Sequence, residues 1–160
     1  MTAPYRHFMI AAGFLAMALG VHDEAASQGM TFATTPLTLI TQSGRHEFVV
    51  DVATNDSQAA FGLHYRSDIA PDGGLLILQS LRAPVPISIT TAGISLSLDL
   101  LFIASDGTVM EVHPSIPTDS ATPIVSNSPV GAALELAGGT ITRYGILPGD
   151  KVIGGGLGSS

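Results

Sequence analysis

From Ile94 to Phe102 every second residue is apolar: Ile94, Leu96, Leu98, Leu100 and Phe102 share one parity, while Ser95, Ser97 and Asp99 share the other. A period of two belongs to a strand, whose side chains alternate between faces, and no helix fits it. Just upstream, Ile87 and Ile89 hold the odd parity. An unbroken strand cannot move its apolar set from odd to even positions. "TTAG" (90–93) must therefore contain a turn or bulge, with Gly93 as its pivot.

The same signal recurs along the chain. "PLTLITQ" (36–42) and "HEFVVDVA" (46–53) read as strands about a turn at "SGR" (43–45), with Phe48, Val50 and Val52 on one face. "LLILQ" (75–79) is too apolar to have a solvent face, and "VPISITT" (85–91) reads as a further strand. "SDG" (105–107) is a hairpin turn from the 94–103 strand into "TVMEVH" (108–113). "GAALELA" (131–137) and "KVI" (151–153) complete the set.

Helical signals are few. "TNDSQAAFGL" (54–63) has Thr54 or Asn55 as N-cap and Gly62 to end it, and "GTITRYG" (139–145) supports one helical turn. "PSIPTDSATPIVSNSPV" (114–130) has four prolines and no periodicity, so it reads as a long surface loop. "GGGLGSS" (154–160) reads as a flexible tail. The sum is mainly β: a sandwich or distorted barrel with one or two short helices. A lead-in and first strand occupy 28–44, and a single domain occupies 45–153.

Residues 1–27 read as a secretory leader. Arg6 gives a positive start, Phe8 to Gly20 is apolar but shorter than a membrane span, and Ala25 and Ser27 offer small residues before a cut at Gln28. An exported, periplasmic or secreted protein follows, with no stable span after cleavage. The chain has no cysteine, which excludes disulfides, thiolate metal sites and a lipid-bearing cysteine. Beyond the leader, five basic residues face 11 acidic ones, so the surface repels phosphate backbones and disfavours nucleic acid. At 46% apolar residues the chain has ample material for a core.

Three stretches, in order, carry a family resemblance: "FGLHYRSDIAPDGGLLIL" (61–78), "LSLDLLFIASDGTVMEVH" (96–113) and "ALELAGGTITRYGILPGDKV" (133–152). Together they resemble the domain of unknown function 192 family, over about residues 45–153. The resemblance implies a compact β-sandwich-like domain, often exported, with no established activity. Its motifs fall on Gly62, Leu63 and Arg66; on Leu98, Asp99 and Phe102; and on Leu134, Glu135, Gly139, Thr140, Gly149 and Asp150. One departure stands out. Where members of that family typically carry Trp-Met-Lys-Asn-Thr before the Leu-Asp pair, this chain has "TTAGI" (90–94), without ring, cation or amide.

Asp99, with Ser95 and Ser97 on one polar stripe, is the first candidate for contact with a sugar, cation or peptide. Its other reading is a strut that accepts hydrogen bonds from a neighbouring loop or from Arg66. Arg66 itself could clamp an anionic ligand or pair with Asp99 or Asp68. Glu135 reads as a solvated strand-face carboxylate, or as Asp99's partner in an acid/base pair of the glycosidase kind if their strands adjoin. His46, His64 and His113 are scattered without metal-ligand spacing, so no metal site or cofactor is expected. "GISLS" lacks the closing glycine of a nucleophile elbow, and "GGGLGSS" is followed by no helix, so it is not a dinucleotide fingerprint. The preferred expectation is a non-catalytic binding domain for a small ligand, glycan or envelope protein. The Asp99 stripe and the 114–130 loop are its expected contact surface. A carboxylate-based hydrolase and a structural envelope component are the alternatives.

Overall fold

The computed structural model describes residues 30–64, 66–79 and 84–158. The leader expected over residues 1–27 lies outside them. A hairpin of β1 (Ala33–Thr41) and β2 (Gly44–Ala53) opens the fold and leads into α1 (Asp56–Phe61). β3 (Gly74–Leu78) then runs parallel to β2. β4 (Ser88–Ile89), β5 (Leu98–Ile103), β6 (Val109–Ile116), β7 (Ile124–Val125), β8 (Ala132–Ala137), α2 (Thr140–Tyr144) and β9 (Lys151–Gly154) follow. The main sheet has the order β6-β5-β8-β3-β2-β1-β9, and β4 and β7 form a small sheet of their own.

The main sheet curls until its two edges meet. Val109 N–H donates to Asp150 O, and Val152 N–H to Gly107 O, each at 2.8 Å. Only a residue without a side chain fits this seam, because a Cβ on Gly107 would stand 2.2 Å from the Val152 carbonyl oxygen. The expected distorted barrel is therefore realised as one curled sheet and not as two stacked ones.

Every strand of the main sheet contributes to the enclosed core, through Leu37, Phe48, Leu76, Leu101, Val109, Leu134 and Val152 among others. A second core covers the outer face of the central strands. There Leu75, Leu98, Leu100, Phe102 and Ala133 pack under Leu63, Ile87, Ile89 and Ile94. Strands β5 and β8 thus have no solvent face, and all six residues of β5 are buried.

Several boundaries differ from expectation for local reasons. The "VPISITT" strand shrinks to β4 plus an isolated Val85–Val130 bridge, because Pro86 has no N–H to give a ladder. The 114–130 segment is shorter as a loop, since β6 runs to Ile116 and β7 pairs with β4. Segment 154–158 is no loose tail. Gly154 and Leu157 exchange backbone hydrogen bonds, and Leu157 enters the enclosed core at 3% exposure. The turn inferred at "TTAG" is present at Ala92–Gly93, where Gly93 has φ +77°.

Asp99 is fully buried and faces the enclosed core. Opposite it, β6 bulges: Leu98 pairs with Ile116 but Leu100 pairs with His113, so two residues face one. The bulge frees the Ser115 N–H from the ladder, and Asp99 Oδ1 accepts it at 2.9 Å. Asp99 Oδ2 accepts the Ile141 N–H at 2.7 Å, one of the amides left open at the start of α2. One carboxylate therefore ties β5, the β6 bulge and α2 together. Ser95 and Ser97 precede the strand and are exposed, so the expected polar stripe with Asp99 does not exist. The Asp99→Ala variant orphans two amides and is expected to lose about 2–5 kcal/mol. Urea unfolding measures this, and a loss below about 1 kcal/mol contradicts the strut.

Candidate functional site

β8 lies between β5 and β3, as an Asp99–Glu135 pair would require. Register then separates the two carboxylates. Glu135 stands opposite Leu100 and Leu75, whereas Asp99 stands opposite Leu136. Directly paired residues share a face and their chain neighbours take the other, so Asp99 and Glu135 project from opposite faces of the sheet. They cannot flank one scissile bond, which removes the acid/base pair.

Glu135 is not a solvated strand-face residue either. It is only 2% exposed, in an apolar strand that the outer core covers. Among the described residues no hydrogen bond or ion pair reaches its carboxylate. Yet no sealed-off side-chain polar atom among them lacks a partner. The remaining accessibility of Glu135 comes from a cavity of about 390 Å³ at whose inner end it lies. Burial alone holds its carboxyl pKa up at about 7, from an ordinary 4.5.

Three segments wall the cavity. The first is the start of α1, where Asn55 Oδ1 accepts the Gln58 N–H at 2.9 Å and caps the helix. Gln58 Oε1 in turn accepts the Thr54 N–H, one residue before the cap, at 2.9 Å. The second is the end of β3, with Ile77 and Gln79. The third is the 86–94 stretch, with Ile87, Ser88, Thr90 and Ile94. His64 clasps the first wall to the third. Its Nδ1 lies 2.6 Å from Phe61 O and its Nε2 lies 2.7 Å from Ala92 O. Carbonyl oxygens only accept, so both contacts are hydrogen bonds when both ring nitrogens carry protons.

The other residues singled out in the sequence have structural places. Arg66 pairs with Asp51 of β2, not with Asp99 or Asp68, and its guanidinium lies 5.9 Å from the Phe32 ring centroid. Gly62 ends α1 at φ +51° and Leu63 is buried beside it. Leu98 and Phe102 belong to the outer core. Gly139 precedes α2 in the left-handed region, and Thr140 Oγ1 donates to Ala137 O at 2.6 Å. Gly149 turns the chain at φ +99°, and Asp150 Oδ2 accepts the Leu147 N–H at 2.8 Å. The 114–130 loop, expected as a contact surface, does not line the cavity among the described residues. It backs the third wall instead, where Asp119 Oδ1 accepts the Gly93 N–H at 2.8 Å.

The model of the DUF192 family, described as "Uncharacterized ACR", matches residues 38–154. The chain belongs to the DUF192 family. Two solved structures are similar to this chain. A transcription-regulator candidate from Sinorhizobium meliloti 1021 is 40% identical, with a TM-score of 0.76, over 80% of this chain and 98% of that one. A protein of unknown function from Novosphingobium aromaticivorans DSM 12444 is 29% identical, with a TM-score of 0.71, over 80% and 96%. No curated protein matches significantly. The "TTAGI" segment falls on the third wall, since Thr90 and Ile94 line the cavity and the Gly93 turn packs on the His64 ring.

No sequence motif marks a cavity here, and His64 reads in the sequence as one lone histidine. The overlooked signal lay in "AALELA" itself, whose small and apolar neighbours mark a strand covered on both faces. The raised carboxyl pKa has a consequence for stability. Between pH 4.5 and 7 the unfolded chain releases the Glu135 proton while the folded chain keeps it, so stability falls with rising pH in that window. Urea unfolding of the wild type is expected to lose about 3 kcal/mol across this window relative to Glu135→Gln, most of it by pH 7.5. Parallel pH profiles of the two proteins contradict the assignment.

Proposed function

We propose that this DUF192 protein is an exported, non-catalytic domain that holds a small ligand in the Glu135 cavity. The observation that carries the reading is the carboxylate itself: a polar side chain, buried and unpartnered among the described residues, at the inner end of a cavity. Small-molecule sites combine an apolar lining with a few converging polar groups, and a volume near 390 Å³ is at the small end of their range. Ile77, Ile87 and Ile94 supply the apolar lining, while Gln79, Ser88 and Thr90 add polar groups. Of the carboxylate candidates, Asp99 has both oxygens occupied by backbone amides, which leaves Glu135 to meet a ligand.

The reading of export rests on the leader sequence. Among the described residues no helix is long and apolar enough to cross a membrane. The net charge of −7 gives no support to nucleic-acid binding for this chain.

Two measurements test the reading. Cell fractionation with N-terminal sequencing is expected to find the protein outside the cytoplasm and starting at Gln28; an intact Met1 in the cytoplasm removes the export claim. A thermal-shift screen of small sugars, polyols, amines and carboxylic acids is expected to yield molecules that stabilise the wild type. Ala60→Trp, placed at the cavity wall on an exposed helix position, is expected to abolish those shifts while leaving the circular dichroism unchanged. Equal shifts in both proteins, or none in either, overturn ligand binding at this cavity.

A further inference from the structure

We propose that the cavity takes a small organic cation, a primary alkylammonium, whose N–H groups pair with the Glu135 carboxylate while its carbon chain lies along Ile77, Ile87 and Ile94. This rests on the ligand-binding reading above and adds the chemical class.

Charge decides the class first. The titratable side chains among the described lining residues are Glu135 of β8, Asp56 of α1 and His64 just after α1. Two are acids, and no lysine or arginine joins them there. An anionic ligand meets repulsion from Asp56 and, once it is ionised, from Glu135. His64 offers a ligand no ring N–H, because both of its ring nitrogens lie within 2.7 Å of the Phe61 and Ala92 carbonyl oxygens. Arg66 is engaged with Asp51.

A metal ion is the next possibility. Among the described residues no group of three His, Cys, Asp or Glu converges to hold one. A single buried carboxylate with amide and hydroxyl neighbours is a poor cage for a hard cation, which takes six or more oxygens, or several waters. An ammonium needs only acceptors, and it brings three N–H donors that a carboxylate and nearby oxygens can take together. The hydrocarbon of an alkylamine also matches isoleucines that a bare ion would leave uncovered.

Glu135 has leucines opposite it on both neighbouring strands, Leu100 and Leu75, both fully buried. A cation entering from the cavity can therefore compensate its charge without rearranging the sheet. Binding then favours the ionised carboxylate, so cation affinity rises with pH as Glu135 loses its proton, while the ammonium stays charged throughout. Asp56 is exposed and acts at the mouth, where solvent screens it.

Calorimetric titration of the mature chain tests this with methylamine, ethanolamine and 1,4-diaminobutane as probes, and 1,4-butanediol as the neutral match of the diamine. At pH 8 at least one amine is expected to bind and the diol not. At pH 5.5 the amine is expected to bind about tenfold or more weakly. Glu135→Gln, which removes an uncompensated charge and is expected to stay folded, loses the amine to a similar degree at pH 8. Asp56→Asn changes affinity only about two- to threefold. If the diol or other neutral molecules bind, remain sensitive to Ala60→Trp and tolerate Glu135→Gln, while no amine binds, the cation is wrong and the ligand-binding reading stands. If neither amines nor neutral molecules bind, both are overturned. Amine binding that is equal in wild type and Glu135→Gln also overturns the proposal.

Discussion

Burial of β5 and β8 on both faces is the constraint from which the rest of this structure follows. A curled sheet needs one apolar face for the space it encloses. Here the α1 region, the 84–97 stretch and β7 cover the opposite face as well. Central strands under that double cover have nowhere to put a charge in water. Each strand nevertheless carries one carboxylate, and the two meet the constraint in different ways. Asp99 points to the enclosed side and is compensated by two backbone amides that the β6 bulge and the start of α2 leave open. Glu135 points to the covered outer side, where no donor among the described residues reaches it, and its burial holds its proton on to about pH 7.

That contrast separates a structural carboxylate from a candidate functional one without any motif. A carboxylate whose oxygens are already saturated by backbone donors has little left to offer a ligand, and its removal breaks the fold. A carboxylate buried beside open space, with no donor among the described residues, is costly to the fold and useful only if something else pairs with it. Proteins in general place such uncompensated groups at sites of function more often than in structural cores. The Asp99–Glu135 adjacency that a hydrolase would need is present along the sheet and is cancelled by parity.

Belonging to DUF192 fixes the frame of this molecule but not its chemistry. The frame positions are filled by residues with clear mechanical duties. Gly62 and Gly139 take left-handed conformations at helix ends, and Asp150 closes the turn before β9. The "TTAGI" segment is part of the cavity wall. Its turn at Ala92–Gly93 is held by His64 on one side and Asp119 on the other. The wall is thus built from backbone geometry, which leaves Thr90 and Ile94 to shape what fits inside.

The sequence by itself determined the strands, the turn at "TTAG", the caps of α1 and the absence of disulfides, because these depend on neighbours a few residues apart. Period-two alternation reports which side chains share a face, and Asn55 and Gly62 act within one helical turn. It did not determine which faces would be covered. The alternation of Ser95, Ser97 and Asp99 reads as a solvent stripe only if one face is wet, and Glu135 reads as exposed on the same assumption. Tertiary structure decided both, by laying α1 and the β4–β7 sheet over strands that the enclosed core already used from the other side. It also decided strand order and register, and with them the partners: Arg66 with Asp51, Asp99 with two amides, and Glu135 with a cavity. Long-range pairing has no local code, since the residues that meet there lie tens of positions apart in the chain.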